Sequence, residues 1–369
     1  MIVAGEASGD LHGAGVVREL KRRVPDADIY GVGGDKMQAA GMSLVYHVRE
    51  LSFMGFWEVL QHLPLIRSVQ RTLEALLVAR KPDVVVLIDY PGFNLRFAQA
   101  VKKYNIKVVY YISPQVWAWN PGRVKKMRPF IDKMLVVFPF EVEIYRKEGI
   151  DAEFVGHPLL EELDVPQGRP EFLKRWGLDG AKLILGLFPG SRRQEIERLF
   201  PPMLGAARIL YHQYGVQTMV GVSSVLEMQF IKSFLRDDFP VTLVQNATHD
   251  VMGNSDVAMV TSGTATLETG FLRTPMVVVY KTSLLTYLIG RLLVRIRNIG
   301  LVNIVAGDRV VPELIQYDVT PGKLASAAGK LLASTDSRQQ IADALGVIRE
   351  KLGTAGASPR VAEAILAAV

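Results

Sequence analysis

Short apolar runs recur along the chain, separated by longer stretches whose apolar residues fall at helical spacing. Ile2–Ala4, Ile29–Val32, Val84–Ile88, Val108–Ile112 and Met134–Phe138 are each bounded by Gly, Pro or Asp and followed by a helix-length segment. Such runs suit strands buried on both faces, and their alternation with helices predicts stacked βαβ units and a parallel sheet. Residues Asp164 to Pro170 break the rhythm, because Pro166, Gly168 and Pro170 cannot continue a helix or a central strand. The alternation then resumes at Leu183–Phe188, Thr218–Val222, Val257–Thr261 and Met276–Tyr280. The pattern predicts two Rossmann-like domains, over residues 1–164 and 171–344, and a helical, alanine-rich tail over 345–369. Two such domains imply a cleft faced by the carboxyl ends of their strands, where candidate chemistry belongs.

Composition narrows the class. The 369 residues are 49% hydrophobic and 22% charged, an ordinary globular mix. No cysteine is present, which excludes a disulfide scaffold, thiolate zinc sites and a cysteine nucleophile. The net charge of +6 suits an anionic partner without choosing among nucleic acid, phosphorylated metabolites and acidic membrane. A nucleic-acid binder should cluster Lys and Arg with interleaved aromatics, whereas here the basic residues are dispersed. Met1–Gly5 reads as a strand and not as a signal peptide. No run approaches the ~20 apolar residues of a membrane span, and the richest stretch, Leu284 to Val294, is short and carries Arg291.

Five strand ends carry candidate chemistry. After Leu183–Phe188 comes Pro189-Gly190-Ser191-Arg192, where Gly190 permits a tight turn and Ser191 with Gln194 forms a capping box. The exposed N–H groups of the following helix and the fork of Arg192 make a ready diphosphate site, although Ser191 alone reads equally as a plain cap. Thr261 to Glu268 again joins a strand to a helix, with Ser262, Gly263 and Thr264 as phosphate donors and Glu268 placed to hold a ribose diol. The N-terminal loop Gly5-Glu6-Ala7-Ser8-Gly9-Asp10-Leu11-His12-Gly13 spaces its glycines four apart and lacks the dinucleotide spacing, which argues against NAD, and Gly31–Gly34 reads as a turn after the second strand. Asp89, closing Val84–Ile88, is a candidate general base or a turn aspartate. Ser113 to Trp119 brings Gln115 and Trp117 onto a loop that can stack on sugars or fill a domain interface. Asp26-Ala27-Asp28 precedes its strand and so sits at the wrong end of the sheet for a metal motif. The histidines show no ligand spacing, so no metal and no cofactor is implied.

Taken together, these segments resemble the lipid-A-disaccharide synthase family. The matching stretches are Ala4–Asp10, Met54–Val59, Ile88–Pro91 with Phe93-Asn94, Ser113–Trp119, Pro139–Glu141, Phe154–Pro158, Pro189–Arg192 with Glu195, Ser262–Glu268, Pro275–Val278 and Asn303–Gly307. They cover nearly the whole chain in order. The resemblance implies a GT-B glycosyltransferase fold and an inverting transfer in lipopolysaccharide synthesis. A 2,3-diacylglucosamine unit moves from UDP-2,3-diacylglucosamine to the 6-hydroxyl of 2,3-diacylglucosamine 1-phosphate, forming the β-1′,6 linkage and releasing UDP. Asp89 and Arg192 fall on the family's important acidic and basic positions, while Glu6, Ser8, Gly9, Asp10, Gln115, Trp117, Gly190, Ser191, Glu195, Ser262, Gly263, Thr264, Glu268 and Asn303 are candidate substrate contacts. Gly92 stands where many relatives carry an aspartate, and Val302 where proline is common. A UDP-sugar 2-epimerase shares the architecture but would not predict the apolar Phe53–Leu65 stretch.

The implied substrates also imply a place. Each buried methylene is worth ~0.8 kcal/mol, so even ten hold an acylated sugar in the bilayer by ~8 kcal/mol. A cytoplasmic enzyme must then dock peripherally on the inner face of the cytoplasmic membrane. By its spacing alone Phe53–Leu65 reads as a core-facing helix; with the substrates that the resemblance implies, Met54, Phe56 and Trp57, followed by Arg67 and Arg71, are the expected contact. Residues from about Leu345 are expected to dock on the N-terminal domain of the same chain or a partner. Tyr280–Ile299, which mixes Leu, Ile and Tyr with Arg291, Arg295 and Arg297, raises the expectation of a homodimer.

Overall fold

The computed structural model describes residues 1–50, 63–115, 122–236, 238–283, 287 and 298–369. The chain forms two compact units, Met1–Glu161 with Leu352–Val369, and Glu162–Lys351.

The first unit is built on a seven-stranded parallel sheet in the order β3-β2-β1-β4-β5-β6-β7. The strands are β1 (Ile2–Ala4), β2 (Tyr30–Gly33), β3 (Ser43–His47), β4 (Val84–Ile88), β5 (Lys107–Tyr111), β6 (Lys133–Val136) and β7 (Asp151–Phe154). Alternate strand residues, among them Val3, Leu87, Tyr110 and Val136, join one core with Val69, Leu73, Phe97 and Val101 from the helices Leu63–Arg80 and Pro91–Lys102. The helices Ala7–Arg23 and Ala357–Leu366 pack together, with Gly15 against the Ser358 hydroxyl. Ser358 in turn donates to Glu161 at 2.5 Å.

The return of the chain to this unit begins at Leu352, later than the Leu345 expected from the sequence. Leu345 and Ile348 are fully buried beside Gly270, and Lys351 donates to the Ala306 carbonyl at 2.8 Å, so these residues still belong to the second unit. Gly31 and Gly33 also differ from expectation. They lie within β2, because Gly31 takes φ +143° and a Cβ there would sit 2.0 Å from the Ile2 carbonyl oxygen.

The second unit carries six parallel strands in the order β10-β9-β8-β11-β12-β13. These are β8 (Ile184–Phe188), β9 (Gln217–Val222), β10 (Val241–Gln245), β11 (Val257–Thr261), β12 (Met276–Tyr280) and β13 (Glu313–Ile315). Its core joins Leu185, Val220, Met259 and Val277 to Ile196, Phe200 and Leu210 of the helix Arg193–Tyr214 and to Leu324 and Ala328 of the helix Pro321–Ala333. The stretch expected as a linker is not wholly irregular. The helix Arg169–Trp176 starts within it, with Pro170 in its first turn, where the missing N–H has no partner to lose.

Candidate active site

In each sheet two neighbouring strands lead the chain outward in opposite directions, the arrangement that opens a ligand crevice at their carboxyl ends. In the first unit these are β1 and β4, with Ala4 opposite Ile88. In the second they are β8 and β11, with Phe188 opposite Val260.

At the first of these points, Gly5 follows β1 and Asp89-Tyr90 follows β4. A Cβ at Gly5 would lie 2.1 Å from the Tyr90 ring, so only glycine leaves room for it. Glu6 starts the helix Ala7–Arg23 in extended conformation without a side-chain cap bond. Asp89 and Tyr90 are both left-handed, φ +46° and +48°. Burial first, then the Glu6 carboxylate, push the Asp89 carboxyl up from 3.8 to about 6, against the opposing pull of the Tyr90 N–H and of His12. A largely desolvated carboxylate titrating near neutrality is suited to take a proton from a hydroxyl.

The neighbouring strand end is strained as well, with Ile112 at φ +62°. The loop beyond it is tied down by the buried Glu141, which accepts from the Ser113 hydroxyl at 2.6 Å and from the Phe138 N–H at 3.2 Å, and by Tyr145, whose hydroxyl donates to the Pro114 carbonyl at 2.9 Å. Gln115 is exposed on this loop. Trp117, with Met54, Phe56 and Trp57, lies outside the described residues. His157 is buried, its Nδ1 accepts from the Leu159 N–H, and burial, with His12 adding to it, lowers its imidazole to about 3, so it is neutral.

Ser8 is exposed and Gly9 buried in the first turns of the helix Ala7–Arg23. Asp10 is not free for substrate. It is buried and accepts N–H groups from Gly34 (2.7 Å), Lys36 (3.1 Å) and Met37 (3.0 Å), capping the short helix Asp35–Ala39. Gly92 is exposed, and a Cβ there would meet nothing within 4 Å.

At the second point, Gly190 turns the chain at φ +111° out of β8. The helix Arg193–Tyr214 is capped one residue later than the sequence suggests. Arg192 is the N-cap, and Glu195 accepts the Ser191 and Arg192 N–H groups at 3.3 Å and pairs with the Arg192 guanidinium at 3.1 Å. Ser191 therefore stands before the cap, and Gln194 is not its partner. Ser191 and Arg192 are exposed.

After β11, Gly263 (φ +152°) caps the helix Thr264–Phe271, and Thr264 is exposed in its first turn. The Ser262 hydroxyl donates to the Ile299 carbonyl at 3.0 Å. Glu268 lies 3.6 Å from Nε2 of His249, whose Nδ1 is 3.7 Å from Asp164. The Glu268 carboxylate first, helped by Asp164, raises the His249 pKa above its usual value against the effect of burial. Asn303 is fully buried and structural. Its amide accepts from the Val310 and Val311 N–H groups and donates to the Val311 carbonyl and the Glu313 carboxylate, all at 2.8–3.0 Å.

The fold thus brings Glu6 and Asp89 together in one unit, and places Gly190–Arg192 and Ser262–Glu268 in the other. His12, Asn94, Tyr110, Glu141 and His249 are not among the residues expected at these places. All but His249 stand in stretches already singled out, and His249 carries no spacing signal. Among the described residues no group of His, Cys, Asp or Glu converges as metal ligands, and no helix is long and apolar enough to cross a membrane.

In its fold the chain is similar to a UDP-N-acetylglucosamine 2-epimerase from Listeria monocytogenes, at TM-score 0.66 and 14% identity over 98% of this chain and 93% of that one. It is also similar to the calicheamicin glycosyltransferase CalG4, at TM-score 0.62 and 16% identity over 100% and 96%. Two parallel α/β units with these likenesses define the GT-B class. In sequence, residues 1–364 match the family described as lipid-A-disaccharide synthetase. The chain is 45% identical over 368 residues to the lipid-A-disaccharide synthase of Geobacter sulfurreducens, covering 99% of this chain and 96% of that protein. The chain belongs to the lipid-A-disaccharide synthase family. Family membership decides between glycosyl transfer and 2-epimerisation, and the chain is a glycosyltransferase that forms the lipid A disaccharide from acylated glucosamine substrates.

Proposed function

We propose that the transfer is a single in-line displacement that needs no metal. The Asp89 carboxylate takes the proton of the acceptor 6-hydroxyl as that oxygen attacks the anomeric carbon of the donor. The bond to the UDP oxygen breaks, and the configuration inverts. Negative charge grows on the departing diphosphate, and the Ser191–Arg192 turn, the Arg192 guanidinium and the Gly263–Thr264 turn hold it by charge-assisted hydrogen bonds and helix N-termini. Glu268 holds the ribose diol, and Glu6 is a second carboxylate near the acceptor. The observation that carries this reading is the half-buried Asp89 carboxyl at the end of β4, beside the Glu6 carboxylate and pushed up to about 6.

The direct test is to incubate the pure protein with UDP-2,3-diacylglucosamine and 2,3-diacylglucosamine 1-phosphate and to measure disaccharide and UDP. Activity should survive EDTA, and strict dependence on added Mg²⁺ or Mn²⁺ would overturn the metal-free displacement.

The lipid substrates further support peripheral contact with the inner face of the cytoplasmic membrane, through Met54, Phe56 and Trp57. Replacing these three by serine should reduce liposome co-sedimentation and activity in a variant that stays folded. If both stay normal, docking lies elsewhere. Self-association as a homodimer, proposed from the Tyr280–Ile299 composition, is decided by light scattering across a wide concentration range. A monomeric mass throughout would exclude it.

A further inference from the structure

Asp89 owes its position to residues outside its own strand. Its N–H still donates along the sheet to the Tyr111 carbonyl at 2.9 Å. The chain then enters the left-handed region for two consecutive residues that carry a Cβ, a conformation such residues avoid unless their surroundings impose it. Two donors meet on the Asp89 carbonyl oxygen: the Asn94 Nδ2 at 2.8 Å and the Tyr110 hydroxyl at 2.6 Å. The same Asn94 amide reaches the Ile88 carbonyl at 3.1 Å and the Val3 carbonyl at 3.5 Å, so it ties together the ends of β4 and β1.

Asn94 is fully buried on the helix Pro91–Lys102, and among the described residues its Oδ1 has no hydrogen-bond partner. A buried amide with one end unsatisfied costs stability that an apolar residue would not cost. Its place there is explained by what its donor holds.

We propose that Asn94 and Tyr110 are positioning residues for the glycosyl transfer, holding the Asp89 peptide so that its carboxylate faces the acceptor hydroxyl. The proposal rests on Asp89 being the base. The groups acting on that carboxylate are Glu6, the Tyr90 N–H and His12, and those acting on Tyr110 are Asp89, Tyr145 and Arg123.

The test compares Tyr110→Phe, Asn94→Ala and the double variant in the full chain. It measures kcat and KM from below to above pH 6 and UDP affinity by calorimetry. Each single variant should lower kcat by about tenfold, the scale of one hydrogen bond lost from the transition state. The KM for the UDP-sugar and the UDP affinity should stay unchanged. The acid limb of kcat should move to higher pH, because a relaxed turn loses the Tyr90 N–H that now stabilises the charged carboxylate. The double variant should lose less than the product of the two, since both donors meet on one oxygen.

Wild-type kcat in folded Tyr110→Phe would overturn the proposal. So would a loss of kcat accompanied by weaker UDP binding and an unmoved acid limb, the signature of general destabilisation. If Asn94→Ala fails to fold, Tyr110→Phe, which removes a single oxygen, decides alone. Wild-type turnover in Asp89→Asn would instead sink the base assignment and this inference with it, whereas an inactive Asp89→Asn beside a fully active Tyr110→Phe sinks only the inference.

Discussion

The two switch points occupy equivalent places in their sheets and use the left-handed region in opposite ways. At the second switch point the residues at positive φ are Gly190 and Gly263, which take that conformation freely. At the first they are Asp89 and Tyr90, each at a cost of about 1–2 kcal/mol. The difference follows from what each site presents. A diphosphate is held by backbone N–H groups and a helix end, so a glycine that lets the backbone approach is sufficient. A proton acceptor is a side chain, and a side chain can stand at such a turn only if its surroundings hold the backbone there.

The comparison breaks most readily at Asp89. Asp89→Asn should cut turnover by about 10²–10⁴-fold and leave UDP affinity by calorimetry unchanged; turnover near wild type would remove the base. In the wild-type protein kcat should fall as the pH drops through about 6. The same substitution should stabilise the fold. The carboxyl titrates at 3.8 in the unfolded chain and about 6 in the folded one. Below the lower value it is neutral in both states; above the higher one the native state carries a half-buried charge beside Glu6. Asp89→Asn should therefore stabilise the fold at pH 8 by on the order of 1–3 kcal/mol, seen as a higher thermal midpoint, and leave the midpoint unchanged at pH 3.

Arg192→Ala comes next. Loss of a charge-assisted contact should weaken UDP binding about 10–100-fold and slow catalysis with it. Unchanged affinity would put the diphosphate elsewhere.

Gly190→Ala should be milder. The left-handed turn and the Glu195 carboxylate, 2.5 Å from the added Cβ, should lower stability by about 1–2 kcal/mol and weaken UDP binding less than Arg192→Ala does. A neutral effect on melting would show that the turn tolerates side chains as the Asp89 turn does.

The smallest effect should come from His249→Gln. The His249 pKa is raised in the native state, so its stabilising contribution is complete below its unfolded value of 6.5 and fades as the pH rises through the folded value. The variant should melt earlier than wild type in acid and alike in base.

Much of this architecture was legible in the sequence, and the part that was not has a common cause. Nine apolar runs predict β1, β2, β4, β5, β6, β8, β9, β11 and β12, within a residue or two at their ends. The strands without such a run are β3, β7, β10 and β13, the edges of the two sheets. Edge strands have one neighbour and are partly exposed, as in Ser43–His47 and Val241–Gln245, so they need no continuous apolar run.

At the site, strand-end position was the useful signal, and it led to Asp89, Gly190, Arg192 and Glu268. It could not show which polar residues were already bonded. Asp10 and Asn303 sit in the same motifs and look equally available, but their partners, Gly34–Met37 and Val310–Glu313, are brought to them only by the fold. His249 fails for the reverse reason: Glu268 and Asp164 are far from it in sequence.

The return of Leu352–Val369 to the first unit has a consequence for biosynthesis. Residues 1–161 leave the ribosome first, yet they lack the helix that covers Gly15 and satisfies Glu161. The intervening residues 162–351 take about 10–40 s to make at ordinary elongation rates. The second unit is contiguous and can complete its fold as it emerges, while the first waits as a nascent domain with an open face. The unit whose strands are made earlier is thus the later to finish folding, and a stop before Leu352 would leave it, not its neighbour, for the chaperones and proteases to sort.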